Sequence, residues 1–384
     1  MTKLKYLTIF ATALSSTAFA QSSVTLYGVV EDGIGYISNE QGKSAVAMQS
    51  GYNSGSRWGL QGAEDLGGGA KAIFQLENGF DTNTGKLGSG GREFGRQAFV
   101  GLQSQSLGTV TFGRQYDLVQ DYFSPLTLGG HYSGVTFAHP FDNDNANGTF
   151  HIDNAIKYAS NSYHGFSFSG MYGFSNQSNF AENRYYGMGA RYVTGPLTIS
   201  AIYQQMNSPA STAGGAVPGP ISDPSSEAGF GAARQRVWGG GVSYIVGDAT
   251  FAVSYSHTDL LSPTASAFSG NFEVVPASLK FDNFEANTIY KVRPDVALSA
   301  MYTYTQAAFD GSSGKVTPKW HQVGVMADYS ISQRTGVYVE AAYQKHLGDD
   351  TGVAALDHAY IPGAGTYSSS ASQFVVRGAF RHTF

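Results

Sequence analysis

The chain has 384 residues, of which 49 are glycine, 24 tyrosine and 25 phenylalanine, and only 13% are charged. That charged share is about half of what a soluble globular domain carries, and a net charge of −5 offers no basic footprint for nucleic acid. The absence of cysteine excludes disulfides, thiolate metal sites and a cysteine nucleophile.

The first element is a leader. Met1–Lys5 carries Lys3 and Lys5, Tyr6–Leu14 is a short and mostly apolar core, and Ala18-Phe19-Ala20 is a small-residue cleavage pattern. These three regions in order predict a signal peptide, residues 1–20, cut after Ala20. Residues 21–384 then form one domain. Loss of the two leader lysines takes its charge from −5 to −7. The apolar core is too short to span a bilayer, and no later run approaches the ~20 apolar residues that a membrane helix needs. Only helices and closed barrels satisfy every backbone polar group in lipid. The mature chain is therefore either soluble and secreted, or a β-barrel.

Period-two alternation then recurs to the end of the chain, with no helical pattern competing. It predicts strands at 24–37, 55–66, 69–80, 94–104, 108–116, 150–159, 165–175, 184–194, 196–205, 235–246, 249–259, 280–292, 295–306, 319–330, 335–346 and 372–384. The last is the clearest: Phe374, Val376, Gly378, Phe380, His382 and Phe384 share one face, opposite Val375, Arg377, Ala379, Arg381 and Thr383. Apolar residues facing out and polar ones facing in is what a lipid exterior and a watery interior demand. Connections alternate as well. Tight turns at Gly67-Gly68-Gly69, Gly195-Pro196, Gly247-Asp248, Arg293-Pro294-Asp295 and Ser332–Thr335 separate long polar stretches at 38–54, 81–93, 117–149, 206–234, 260–279, 307–318 and 347–371. Sorting short turns to one rim and long loops to the other is the outer-membrane pattern. Sixteen strands, an even number, leave an aqueous lumen where eight would be filled by side chains.

Several stretches resemble the general diffusion porins of Gram-negative bacteria, particularly the neisserial and β-proteobacterial branch. They are Val24–Gly28 (VTLYG), Ser56–Phe80 (SRWGLQGAEDLGGGAKAIFQLENGF), Arg96–Leu102 (RQAFVGL), Gly108–Asp117 (GTVTFGRQYD), Asn154–Tyr158 (NAIKY) and the terminal RHTF. They span the mature chain in family order. The resemblance implies an all-β, 16-stranded antiparallel transmembrane β-barrel with an inward-folded third long loop, assembled as a homotrimer. It also implies passive diffusion of small hydrophilic solutes and ions across the outer membrane, with no catalysis and no cofactor. Phe384 looks like the family's terminal signal to the barrel-assembly machinery, with His382 departing from the aromatic common there. Barrel closure places the chain's two ends on adjacent strands.

Charged side chains at a constriction set a pore's ion preference. Parity places Arg57 and Gln61 inside, opposite Trp58 and Leu60, and Lys71, Gln75 and Glu77 inside, opposite Ala72, Phe74 and Leu76. Likewise His151, Asp153 and Lys157 are expected inside, opposite Ile152, Ile156 and Tyr158. Related porins carry three arginines on strands two, four and six, and residue by residue these match Arg57, Arg96 and His151. The histidine departs from the pattern. At an ordinary pKa near ~6.5 it is mostly neutral at neutral pH, so acidification through pH 6 should add charge there; Lys157 on the same face offers partial compensation. Arg114 shares the face of Val110 and Phe112. An outward arginine costs about 2–4 kcal/mol at the bilayer midplane. The family reading makes Arg114 a trimer contact, with a neighbour's Glu93 or Asp81 as the carboxylate. From the inward loop, Asp117 and Asp121 are the best-placed acids to face the arginines, followed by Asp142 and Asp144. No acid falls in 122–141 and the family's Pro-Glu-Phe-Gly motif is absent. The expected filter is therefore weakly charge-selective, with its sign open.

Other motifs fail on spacing. Gly79–Lys86 has five residues between its glycines and Leu87 after its lysine, so it is not a phosphate loop. Asp142-Asn143-Asp144-Asn145 lacks a closing Glu, and its Gly148 falls two positions late for a calcium loop. Two rivals remain at this point: an outer-membrane barrel enzyme, for which no nucleophile, base and orienting group assemble, and a substrate-specific channel with an aromatic slide.

Overall fold

The computed structural model describes residues 23–384 except 133, 212–213, 218–228 and 313. The leader and its cleavage site lie outside the described residues. The large sheet holds eighteen strands. Two of these, Lys43–Ser50 and Gly314–Val316, are hairpin arms on neighbouring strands, which leaves sixteen around the wall. In chain order these are β1 Ser23–Glu40, β2 Arg57–Gly67, β3 Ala70–Gly79, β4 Gln97–Ser104, β5 Gly108–Gln115, β6 Ile152–Ala159, β7 Phe166–Gly173 and β8 Arg184–Thr194. They continue with β9 Leu197–Asn207, β10 Arg234–Val246, β11 Ala249–Leu261, β12 Ser278–Arg293, β13 Val296–Gly311, β14 Lys319–Ser330, β15 Thr335–Leu347 and β16 Ser372–Thr383. Every predicted strand is present.

Each strand pairs antiparallel with its sequence neighbour, and β16 returns to β1 from Val29↔Thr383 to Ile37↔Val375. Gly28 and Phe384 exchange both backbone hydrogen bonds, at 3.1 and 3.0 Å. Closure leaves no sheet edge, which is why the structure is viable in lipid. The pleat sorts the side chains. On β15, Val339 and Tyr343 are exposed on the outer face, whereas Tyr338, Glu340, Ala342 and Gln344 are buried on the inner one. The inner face is buried because loops fold onto it, not because the sheet is filled by its own side chains.

Two departures from simple alternation matter. Residues 43–50 form a strand, not loop: Asp32–Glu40 of β1 pairs with this arm, while Ser23–Val29 pairs with β2. Residues 51–56, between arm and β2, turn into the lumen, where the N–H groups of Asn53 and Ser54 donate to the Glu31 carboxylate at 2.9 and 2.8 Å. The second departure is a bulge between β5 and β6. Gly113 pairs with Ala155 but Gln115 pairs with Ile152, and both Gly113 (φ 131°) and Asn154 (φ 53°) are left-handed. The extra residue reverses the faces above it.

Candidate functional site

The third long loop, residues 116–151, lies inside the barrel. Its first part packs Leu118, Val119, Tyr122 and Phe123 against inward residues of β6–β10, among them Ile152, Met171, Ile202 and Val237. Its middle packs Leu128 and Phe137 against Met301, Met326, Tyr338 and Ala379 of β13–β16. Small wall residues receive the large loop side chains. A Cβ at Gly189 would meet Tyr122 at 2.7 Å, and one at Gly324 would meet Phe137 at 2.6 Å. Polar wall residues then fasten the loop. Glu285 accepts from the Leu128 N–H at 2.7 Å, Glu340 from the Thr136 hydroxyl at 2.8 Å, and Gln322 donates to the Thr136 carbonyl at 3.1 Å.

The strongest fastening is His139, fully enclosed between Asp144 (Nδ1 at 2.7 Å) and Glu285 (Nε2 at 3.1 Å). Burial alone would strip its proton, but Asp144 first and Glu285 second outweigh burial and push its pKa up to about 10. Ser256 is beside this group, but its hydroxyl donates to Asp144 and not to the imidazole. The arrangement is a buried clamp rather than a nucleophile with its base.

With the loop held against β6–β16, the open lumen lies along β2–β4. A cavity of about 450 Å³ runs there, lined on the wall by Arg57, Glu77 and Arg96 and on the loop by Tyr116, Gln120, Asp121, Ser124, Pro125, Gly130 and Val135. Glu77 is the hub of the wall. It accepts from Arg96 Nε at 2.8 Å and from the Tyr27 hydroxyl at 2.9 Å, and Arg57 Nε stands 3.9 Å away. Arg57 is further held by the carbonyls of Ser54 and Gly55, so the inward turn of 51–56 positions it. Arg96 also donates to the Tyr116 hydroxyl. Across the cavity, Asp121 pairs with Lys157 at 2.8 Å, and Arg191 donates to the Asp121 carbonyl while lying 5.0 Å over the Tyr122 ring.

The expected residues therefore separate. Arg57, Arg96 and Asp121 line the cavity, and Lys157 stands behind Asp121. Asp117 does not reach the cavity. It is fully buried beneath the loop, accepting from the Gln120 N–H, Asn145 and Gln204. Burial pushes its pKa up to about 7. Asp142, likewise buried and tied to Asn147 and Thr149, is pushed up to about 6 by burial and then by Asp144. Both are loop-folding groups. Their raised values mean that the charged forms burden the fold, so the loop is held more tightly as pH falls through about 7 and then about 6.

His151 is buried, its ring 4.6 Å from that of Tyr116. Burial first, then Arg114, Arg96 and Arg92, depress its pKa well below the ordinary value. The expected gain of charge near pH 6 is thus corrected: the ring stays neutral there. Replacing His151 with Asn is expected to leave the zero-current potential unchanged between pH 8 and pH 5, a comparison read in a planar bilayer. The bulge also corrects the parity of 152 and 153. Ile152 is the lumen-side residue, and Asp153 pairs with Arg114, itself opposite outward Ala98, and lies 3.3 Å from Arg92. Arg114 thus has a carboxylate within its own chain, and donates to the Gly95 carbonyl at 2.6 Å.

Sequence reasoning assigned Glu77 to the inner face but gave it no role, and passed over Arg191. The signal for Glu77 was available: it shares a face with Gln75, and its cross-strand partner is Gln97, one residue beyond Arg96. Substituting Glu77 with Gln removes the one carboxylate that the described residues place on the wall side of the cavity. Anion preference should rise several-fold, measured as the permeability ratio in a salt gradient; an unchanged ratio would contradict the wall's role.

A closed barrel with an apolar exterior, loops sorted to one rim and a charged passage narrowed by an internal loop defines a membrane channel of the bacterial outer membrane. A profile of the Gram-negative porins matches residues 7–349. An outer membrane porin of Bordetella pertussis is 34% identical over 88% of this chain and 94% of its own. Outer membrane porin protein 32 of Delftia acidovorans is 29% identical over 97% of each. Among solved structures, the anion-selective porin from Comamonas acidovorans superposes with a TM-score of 0.72 at 23% identity, covering 95% of this chain and all of that one. The chain belongs to the Gram-negative porin family. It is an outer-membrane channel for passive diffusion, and its relatives are porins, not enzymes.

Proposed function

We propose that this porin passes small hydrophilic solutes and ions with a weak preference for anions, set at the cavity between β2–β4 and the third loop. One observation carries the sign. Arg57, Arg96, Lys157 and Arg191 gather about the cavity and its loop wall against two carboxylates, Glu77 and Asp121. The residual charge is positive, and positive rings favour anions. Pairing of each acid to a base keeps the field modest, which supports weak rather than strong selectivity. Of the expected constriction residues, Arg57, Arg96 and Asp121 act in the passage and Lys157 holds Asp121 as its ion-pair partner. Asp117 and His151 support the loop and wall.

The working unit is a homotrimer, with Arg114 proposed at the subunit contact and held from within by Asp153. The apolar outer face of β1 and its arm, with Ile34, Val46 and Met48 more than half exposed, supports a protein neighbour there. Export uses the residue 1–20 leader. Phe384, 43% exposed at the barrel seam, serves the assembly machinery. Deleting Phe384 is expected to cut the folded, heat-modifiable fraction in the outer membrane severely, with wild-type yield as the contrary result. Purified protein should form ohmic channels that insert in steps of three; absence of conductance would sink the reading.

A further inference from the structure

A buried charge cluster lies where the barrel closes. Glu31 of β1, Glu340 of β15 and Arg377 of β16 point inward and are sealed from solvent, and none of the three lines the cavity. The Arg377 guanidinium stands 3.6 Å from Glu31 and 3.8 Å from Glu340. Arg381, the cross-strand neighbour of Glu31, is taken up by Asp328 at 2.9 Å. One buried cation thus faces two buried carboxylates. Carboxylates in that position need hydrogen-bond donors beyond the ion pair.

The donors come largely from the two segments that enter the lumen. Glu31 accepts from the N–H groups of Asn53 and Ser54 and from the Tyr338 hydroxyl at 2.7 Å. Its backbone N–H and carbonyl both bond the Ser56 hydroxyl, at 3.0 and 2.9 Å. Glu340 accepts from the Asn53 amide at 3.4 Å and from the Thr136 hydroxyl of the third loop at 2.8 Å. Arg377 lies 4.2 Å over the Tyr52 ring and donates to the Gln49 carbonyl at 2.6 Å. Turn and loop also meet directly, the Val135 N–H donating to the Tyr52 carbonyl at 3.0 Å. The inward turn 51–56 is therefore part of the solvation shell of the cluster. It passes its position to Arg57 through the carbonyls of Ser54 and Gly55. Arg96 is held differently, by Glu77 and Tyr116.

We propose that Glu31 and Arg377 are positioning residues for the ion filter. They fix the turn 51–56 against the tip of the third loop, and with it the Arg57 guanidinium in the passage. Neither touches a passing ion. The proposal deepens the anion reading of the same cavity, and rests on it only where an ion preference is measured.

The first arm of the test is electrical. The paired variant Glu31→Gln, Arg377→Gln loses one charge of each sign, so a shifted potential in it does not come from net charge. Arg57→Gln should move the zero-current potential of the otherwise unmodified porin toward cations, and should have no further effect in the paired background. Arg96→Gln should act equally in both. A full-sized Arg57→Gln effect in the paired background overturns the proposal, and so does loss of the Arg96→Gln effect there. The second arm needs no ion preference. The chain has no cysteine, so Asn53→Cys, Gly134→Cys supplies the only two thiols. A Cβ at Gly134 would stand 3.8 Å from the Asn53 Cα, within disulfide reach. Oxidation should close this pair on the order of tenfold more slowly in the paired background, the factor that follows loss of a hydrogen bond to a charged group. An equal rate overturns the proposal. If Arg57→Gln leaves the potential of the otherwise unmodified porin unmoved, the anion reading falls and this rate alone decides the positioning. Should the paired variant fail to fold, Gly51→Ala displaces the turn and leaves the cluster's side chains in place. Gly51 is left-handed (φ 65°), and a Cβ there would meet the Ser56 nitrogen at 2.5 Å. That variant should silence Arg57→Gln in the same way, and a full-sized effect in it overturns the proposal.

Discussion

Exchange of both Arg57 and Arg96 for glutamate is expected to reverse the sign of the zero-current potential in a salt gradient. The four bases and two acids about the cavity leave a net charge of +2, and each exchange lowers it by two, to −2. The new carboxylates would stand beside Glu77, which already lies 2.8 Å from Arg96 and 3.9 Å from Arg57. Charges a few ångströms apart at a partly desolvated wall interact by about 4 kcal/mol at an effective dielectric of ~20. That is ample to invert a weak preference. The shift should be largest in dilute salt, where screening reaches furthest. Because Glu77 would then lack both partners, the milder Arg57→Gln, Arg96→Gln pair serves as a control and should bring the potential near or below zero. A potential unmoved by either pair would place the wall outside the limiting passage.

The second large effect concerns the loop. Replacing His139 with Ala leaves Asp144 and Glu285 buried and facing one another across an empty site. Breaking a buried charge pair by removing one partner costs about 3–5 kcal/mol, more than one loop's docking can absorb without movement. The third loop should leave the wall. Single-channel conductance should then rise well above that of the unmodified protein, with rapid flicker. The same clamp has a pH signature. Its stabilisation comes from the protonated imidazole, whose folded pKa is raised, so it is complete below the ordinary value near ~6.5 and is lost as pH rises through about 10. Unmodified channels should therefore be quiet from acid to neutral pH and become noisy above about pH 10. A second arm avoids charge altogether. Gly324→Leu fills the pit that receives Phe137 and should give the same open, flickering state. Quiet channels of unaltered conductance in both variants would contradict the clamp.

The fold was readable because period two is a strong signal when lipid enforces it on one face. All sixteen wall strands appear where alternation placed them. The arm at 43–50 was missed because its outward residues, Val46 and Met48, alternate with Ala45 and Ala47, so no polar face marks the period. Parity failed at Asp153 because a bulge at Asn154 leaves no mark in hydrophobic pattern; only Gly113 hinted at a break. Arg57 was legible from resemblance and parity together, and Arg96 from resemblance alone, because alternation puts it on the side of Ala98 and Val100. Their neutralising partner was not, because Glu77 meets Arg96 through space across the end of a strand. Whether a loop acid faces water or core was not legible at all. Asp117 and Asp121 are four residues apart on one loop, yet one is sealed under it and the other lines the cavity.

The most direct test of a diffusion channel with a weakly basic constriction is the zero-current potential of the unmodified porin in a planar bilayer under a potassium chloride gradient. An anion-permeable sign of modest size, steady from pH 8 to pH 5, is the predicted result. A cation-permeable potential would contradict it.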